Sequence, residues 1–148
     1  MIFDAQALFS DGQAITATAA STNTIDLGAP GTPYGSSSAL VRDIGKGCEI
    51  PISVSLTEAF NNLTSLTISV ETDDNSGFSS AATVFTTTAI PLASLTLGYV
   101  LKQLVEIPEG TNERYVRLKY TVVGTAPTTG KVTAGIVAAR QSNFTPGR

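Results

Sequence analysis

The feature that most constrains this chain is the strict alternation of apolar and polar residues. In "LTISVET" Leu66, Ile68 and Val70 share one side and Thr67, Ser69 and Glu71 the other, which is the period of a β-strand with one buried face. "RYVRLKYTVV" repeats the pattern, with Val116, Leu118, Tyr120 and Val122 set against Arg117, Lys119 and Thr121. "EIPISVSL" does the same through Ile50, Ile52, Val54 and Leu56, and "KVTAGIVAA" through Val132, Ala134 and Ile136. Pro51 falls on the polar side of its run and removes a ladder donor, which predicts an edge strand or a bulge there.

Turn signals separate these runs: "GAPGTPYGSSS" (28–38), "DDNSG" (73–77), "PEGTN" (108–112) and "GTAPTTG" (124–130). Each supplies residues that tolerate positive φ or preset a bend. Strands are expected near 3–9, 13–20, 23–27, 39–44, 49–56, 64–72, 81–88, 99–106, 113–123 and 131–140, the weaker ones merging to leave about eight. Only "SLTEAFNNL" (55–63) admits a helical turn, with Thr57 as its N-cap and Phe60 and Leu63 on one face. The expected fold class is therefore all-β, an antiparallel sandwich or barrel in which two sheets pack face to face. In "LFSDGQAITATAASTNTIDLG" (8–28) the small side chains read as paired strands. Ile15, Ala17, Ala19, Ile25 and Leu27 would line a thin part of the core and leave a threonine-lined face for a partner.

Composition bounds the function. The 148 residues suit one domain, and 42% hydrophobic with only 14% charged residues implies a surface rich in Ser, Thr, Asn and Gly. A net charge of -3 and a pI near 4.8, with the basic residues scattered, give no footprint for nucleic acid or an anionic membrane. The N-terminus has an acid at Asp4 and no basic region, so it does not read as a signal peptide. The sequons at Asn62 and Asn143 then read as chance matches. No run of about 20 apolar residues suggests a membrane span. With no histidine and a single cysteine, Cys48, Ser-His and Cys-His nucleophile pairs and the usual zinc sets are excluded. Cys48 can close no internal disulfide and is expected to be a small buried hydrophobe. "GTAPTTGKV" has five residues between Gly124 and Gly130 where a phosphate loop needs four, and reads as a hairpin turn. Glu71, Asp73 and Asp74 could form an acid pair or hold Ca²⁺, but a solvated loop is the expectation. No cofactor, metal site or catalytic residue is assigned, and the protein is not expected to be an enzyme.

What remains is contact. Thr16, Thr18, Thr86, Thr87 and Thr88 combine β-propensity with low side-chain entropy. The ends add the apolar Phe3, Leu8 and Phe9 and, within the closing "QSNFTPGR", Phe144. These four are the expected protein interface, the competing expectation being that Phe3 and Phe9 cap the core.

"ALFSDGQAITATAASTNTIDLG", then "VETDDNSGFSSAATVF", then "IPEGTNERYVRLKYTVVGTAPTTGKVTAGIV" together resemble the jelly-roll cement or decoration proteins of tailed bacteriophage capsids. No single motif is diagnostic; their order and spacing over nearly the whole chain carry the likeness. The resemblance implies a jelly roll over 13–140, with 1–12 as an N-terminal arm or first strand and 141–148 as a C-terminal tail. It implies a virion protein, made in the bacterial cytoplasm, that sits on the outer capsid surface. There it would cement neighbouring copies of the major capsid protein, commonly as a symmetric homo-oligomer, a homodimer in preference to a trimer. The rival expectation from another class is a carbohydrate-binding β-sandwich module, Ca²⁺-dependent or not, against which the scarcity of aromatic residues counts.

Overall fold

Alternation is expressed most fully in the two strands at the middle of one sheet. The computed structural model describes residues 3–47 and 49–138. In it β5 (Leu63–Asp73) and β8 (Tyr115–Gly124) run antiparallel from Leu63 opposite Gly124 to Asp73 opposite Tyr115. Leu66, Ile68 and Val70 of the first and Val116, Leu118 and Tyr120 of the second are buried. Across from them β4 (Ile52–Glu58) and β9 (Lys131–Val137) bury Ile52, Val54, Leu56, Val132 and Ala134, and β1 (Phe3–Ala14) adds Phe9. Burying each of the larger of these side chains stabilises the fold by about 1.5–3 kcal/mol, so this inward set is what joins the layers.

One sheet has the order β1-β9-β4. In the other, β8 pairs on one side with β2 (Ala19–Ala20) and β3 (Ile25–Asp26), and β5 pairs on its far side with β6 (Ala82–Thr86) and β7 (Ile90–Pro91). Residues 98–107 extend the first sheet beyond β4 without a regular ladder. Ile52 N–H donates to Val105 O at 3.0 Å, Leu101 N–H to Val54 O at 2.9 Å and Leu56 N–H to Tyr99 O at 2.9 Å. The pairing is thus nested: β1 with β9, β2 and β3 with β8, β4 with 98–107, and β5 with β6 and β7. A long hairpin wrapped around itself gives this nesting, which is the jelly roll.

Glutamines close both open sides. Gln13 Nε2 donates to Ala20 O at 2.9 Å and Gln13 Oε1 accepts from Thr22 N–H at 2.9 Å. On the opposite side Gln103 Oε1 accepts from Thr88 N–H at 2.8 Å and from Thr88 Oγ1 at 3.0 Å. Each ties one sheet to the other where an edge would otherwise present unpaired backbone groups.

Several expectations give way. Residues 39–44 form no strand; Leu40 and Val41 are exposed and Arg42 turns back to bind backbone carbonyls. Residues 55–63 contain no helical turn, because β4 continues to Glu58, which pairs with Lys131 at 3.0 Å. Asn62 then takes φ 63, a left-handed reversal that buries both Phe60 and Leu63. Among the described residues the one short helical turn is a 3-10 turn at Leu92–Ser94. Pro51 lies just ahead of an interior strand, where its missing N–H costs no regular ladder bond, and its carbonyl accepts from Val137 N–H at 3.0 Å. The 124–130 turn joins β8 to β9, which lie in different sheets, so it is an arch and not a hairpin. Within 8–28 Ala17 is exposed, and the ladders at β2 and β3 are only two residues long because hydroxyls substitute for backbone groups. Leu118 N–H donates to Ser21 Oγ at 3.1 Å and Val122 N–H to Thr18 Oγ1 at 3.0 Å. Cys48, Phe144, the last residues of the expected 131–140 strand and the 141–148 tail lie outside the described residues.

Candidate functional site

The nested order gathers three connections at one end of the sandwich: 27–51 between β3 and β4, 74–81 between β5 and β6, and 108–114 leading into β8. Ile44 N–H donates to Thr111 O at 3.2 Å and Gly110 N–H to Asp43 Oδ2 at 2.9 Å, fastening the first connection to the third. Gly45 permits this approach, since a Cβ there would overlap the Pro108 carbonyl. Phe3 is at the same end, opposite Val137.

The long connection is a closed finger. Arg42 Nη1 donates to Leu27 O at 2.7 Å and Nη2 to Gly28 O at 2.8 Å, so one guanidinium holds both arms at the base. Leu40 N–H donates to Gly31 O at 2.9 Å and Ser36 N–H to Pro33 O at 3.0 Å nearer the tip. The finger presents Tyr34 at 109% exposure, Val41 at 92% and Leu40 at 54%. From Leu27 to Val41 it has no charged residue. Sequence reasoning missed it by dividing it into a turn and a strand. The available signal was its length without charge, broken by Pro30, Gly31, Pro33 and Gly35, which no buried strand would contain.

Of the expected interface residues, Phe3 and Leu8 are half-buried and lie together over Gly135, where a Cβ would come within 3.1 Å of Phe3 Cδ1 and 3.0 Å of Leu8 Cδ2. Phe9 has 0% exposure and belongs to the core, so it offers no surface to a partner. Phe144 is outside the described residues. Thr16, Thr18, Thr86 and Thr88 are exposed, whereas Thr87 is buried and its Oγ1 accepts from Ile68 N–H at 3.0 Å.

The charged groups of the sheet face serve structure. Glu71, almost buried, pairs with Arg117 at 2.7 Å and Lys119 at 3.2 Å, and the Arg117 guanidinium lies 4.0 Å over the Phe78 ring. Asp26 receives a two-pronged hydrogen bond from Arg114, at 2.8 and 2.7 Å, which with the Gly28 amide holds its pKa down at about 2. Asp73 is not solvated: it is buried at the end of β5 and accepts from the Asn75 and Ser80 amides, each at 2.8 Å. Those bonds, the Asn75 amide first, hold its carboxyl below the usual range. Among the described residues no three acids come together as ligands for a metal ion.

A family model, Bbp16, matches residues 9–138. The chain belongs to the Bbp16 family. The span shared with Bbp16 starts at the core residue Phe9 and takes in the finger, the three connections and every strand after β1. No curated protein matches the chain. In this Bbp16 member the ion pairs and buried carboxylates brace strands and turns, and the finger presents Tyr34, Leu40 and Val41 to solvent. Such an arrangement can bind a surface through burial of preordered side chains.

Proposed function

We propose that this Bbp16-family protein is a structural component of a phage virion. It attaches to the outside of the assembled head and fastens neighbouring major capsid subunits, with no chemical turnover. The observation that carries the reading is the order and spacing of the three quoted stretches, which resemble jelly-roll decoration proteins and which correspond to β1 through β3, the β5–β6 hairpin and β8 through β9. A rigid body with a prearranged apolar finger supports it further.

The mechanism is physical. A body that touches more than one subunit turns several modest contacts into one tight attachment, because each later contact forms at high effective concentration. Self-association about a two-fold axis would double the contacts. The test is co-sedimentation of the purified chain with heads assembled in its absence. Saturable binding is expected, and a protein that stays in the supernatant at every concentration would refute the reading.

A further inference from the structure

We infer that the end of the sandwich bearing the finger is the face that meets the capsid, and that it docks on a lysine- or arginine-bearing surface surrounding an apolar seat. The inference rests on the cement reading and adds to it which face binds and what chemistry it recognises.

Three observations converge on this end. Tyr34, Leu40 and Val41 stand out of a loop already closed by Arg42, so little conformational freedom is lost on docking. A tyrosine so presented can bury about 150–250 Å² and is among the residues that most often dominate an interface. Around the finger, Glu49, Asp74, Glu106 and Glu109 are exposed, and none of them is in an ion pair among the described residues. A cleft of about 330 Å³ opens between Gly45, Gly47, Glu49 and Glu106, two residues without side chains and two carboxylates, which suits a long cationic side chain. Of the nearby cations, Lys46 is exposed, while Arg42 and Arg114 are bound to carbonyls and to Asp26.

The other end is different in kind. Its connections, at 15–18, 59–62, 87–98 and 125–130, contain no charged residue at all. The excess negative charge is therefore concentrated beside the finger. An acidic partner surface would be repelled there, and an uncharged one would leave four carboxylates desolvated without compensation. A basic surface satisfies them and steers the encounter.

The experiment is the co-sedimentation with heads, run with three variants of the full chain at 0.05 and 0.5 M NaCl. Tyr34→Ser with Val41→Ser removes the two most exposed apolar side chains of the finger and should weaken binding roughly tenfold or more. Glu49→Gln with Glu106→Gln should weaken binding at low salt and reduce its salt dependence. Leu97→Ser with Val123→Ser, exposed at 71% and 48% at the opposite end, should bind as the unaltered chain does. All six positions are exposed, and unchanged thermal melts would show that each variant is folded. A finger variant that binds normally, or loss of binding in the opposite-end variant, overturns the inference while leaving the cement reading in place. Failure of the unaltered chain to bind overturns both.

Discussion

Tyr120 places a phenol in the middle of the core, and its hydroxyl is 2.8 Å from Ser10 Oγ. Ser10 gives its own proton to Gln13 Oε1 at 2.7 Å, so Tyr120 is the donor to Ser10. Burial pushes the phenol well above its ordinary pKa, and the group stays protonated through the working range. Ser10→Ala strands a buried O–H and should cost about 1–3 kcal/mol in urea unfolding. Adding Tyr120→Phe to that background should recover part of the loss; strictly additive costs would show that the relay contributes nothing. Half of this detail was legible. Alternation placed Tyr120 inward, but nothing in "LFSDGQ" showed that Ser10 would follow Phe9 into the core. A register shift between Leu8 and Ser10 sends both inward, and such a bulge leaves no mark in the apolar pattern.

At the scale of elements, the exit of β5 and the entry to β8 are adjacent, and both carry carboxyls. Glu113 Oε2 is buried without a hydrogen-bond partner, and burial first, then the charges of Asp73 and Asp74, push its pKa up. A folded-state pKa above the unfolded one means that the folded protein holds the proton more tightly. The contribution to stability is then fully present below the unfolded value and is lost as pH rises through the folded value. Glu113→Gln should therefore raise the melting temperature at pH 7, with the advantage closing as the pH falls through the raised folded-state value and gone below about 4.5, the ordinary Glu value. An advantage that persists unchanged at low pH would contradict the assignment. Elements built on period-two burial were readable from sequence because two sheets demand it. The 98–107 edge was harder, since its buried residues Leu101, Leu104 and Ile107 recur every third position on an irregular strand. The finger was hardest, because its apolar residues are held outward by Arg42 and by carbonyls distant in sequence from the residues they anchor.

Across the whole molecule, the nested pairing brings the two ends of the described chain together through β1 and β9, and glutamines seal both open sides. The result is a stiff body with one end whose connections carry no charge and an acidic, finger-bearing end. Such a body is suited to holding surfaces in fixed relation, and fastening makes a demand that attachment alone does not. Under the cementing role proposed above, the forces on a filled shell are shared through the added protein. The measurement that tests this most directly is the temperature at which DNA-filled heads lacking the protein release their DNA, recorded with and without saturating amounts of it. A clear upward shift on saturation is predicted; heads that bind the protein fully and still release DNA at the same temperature would contradict the cementing role.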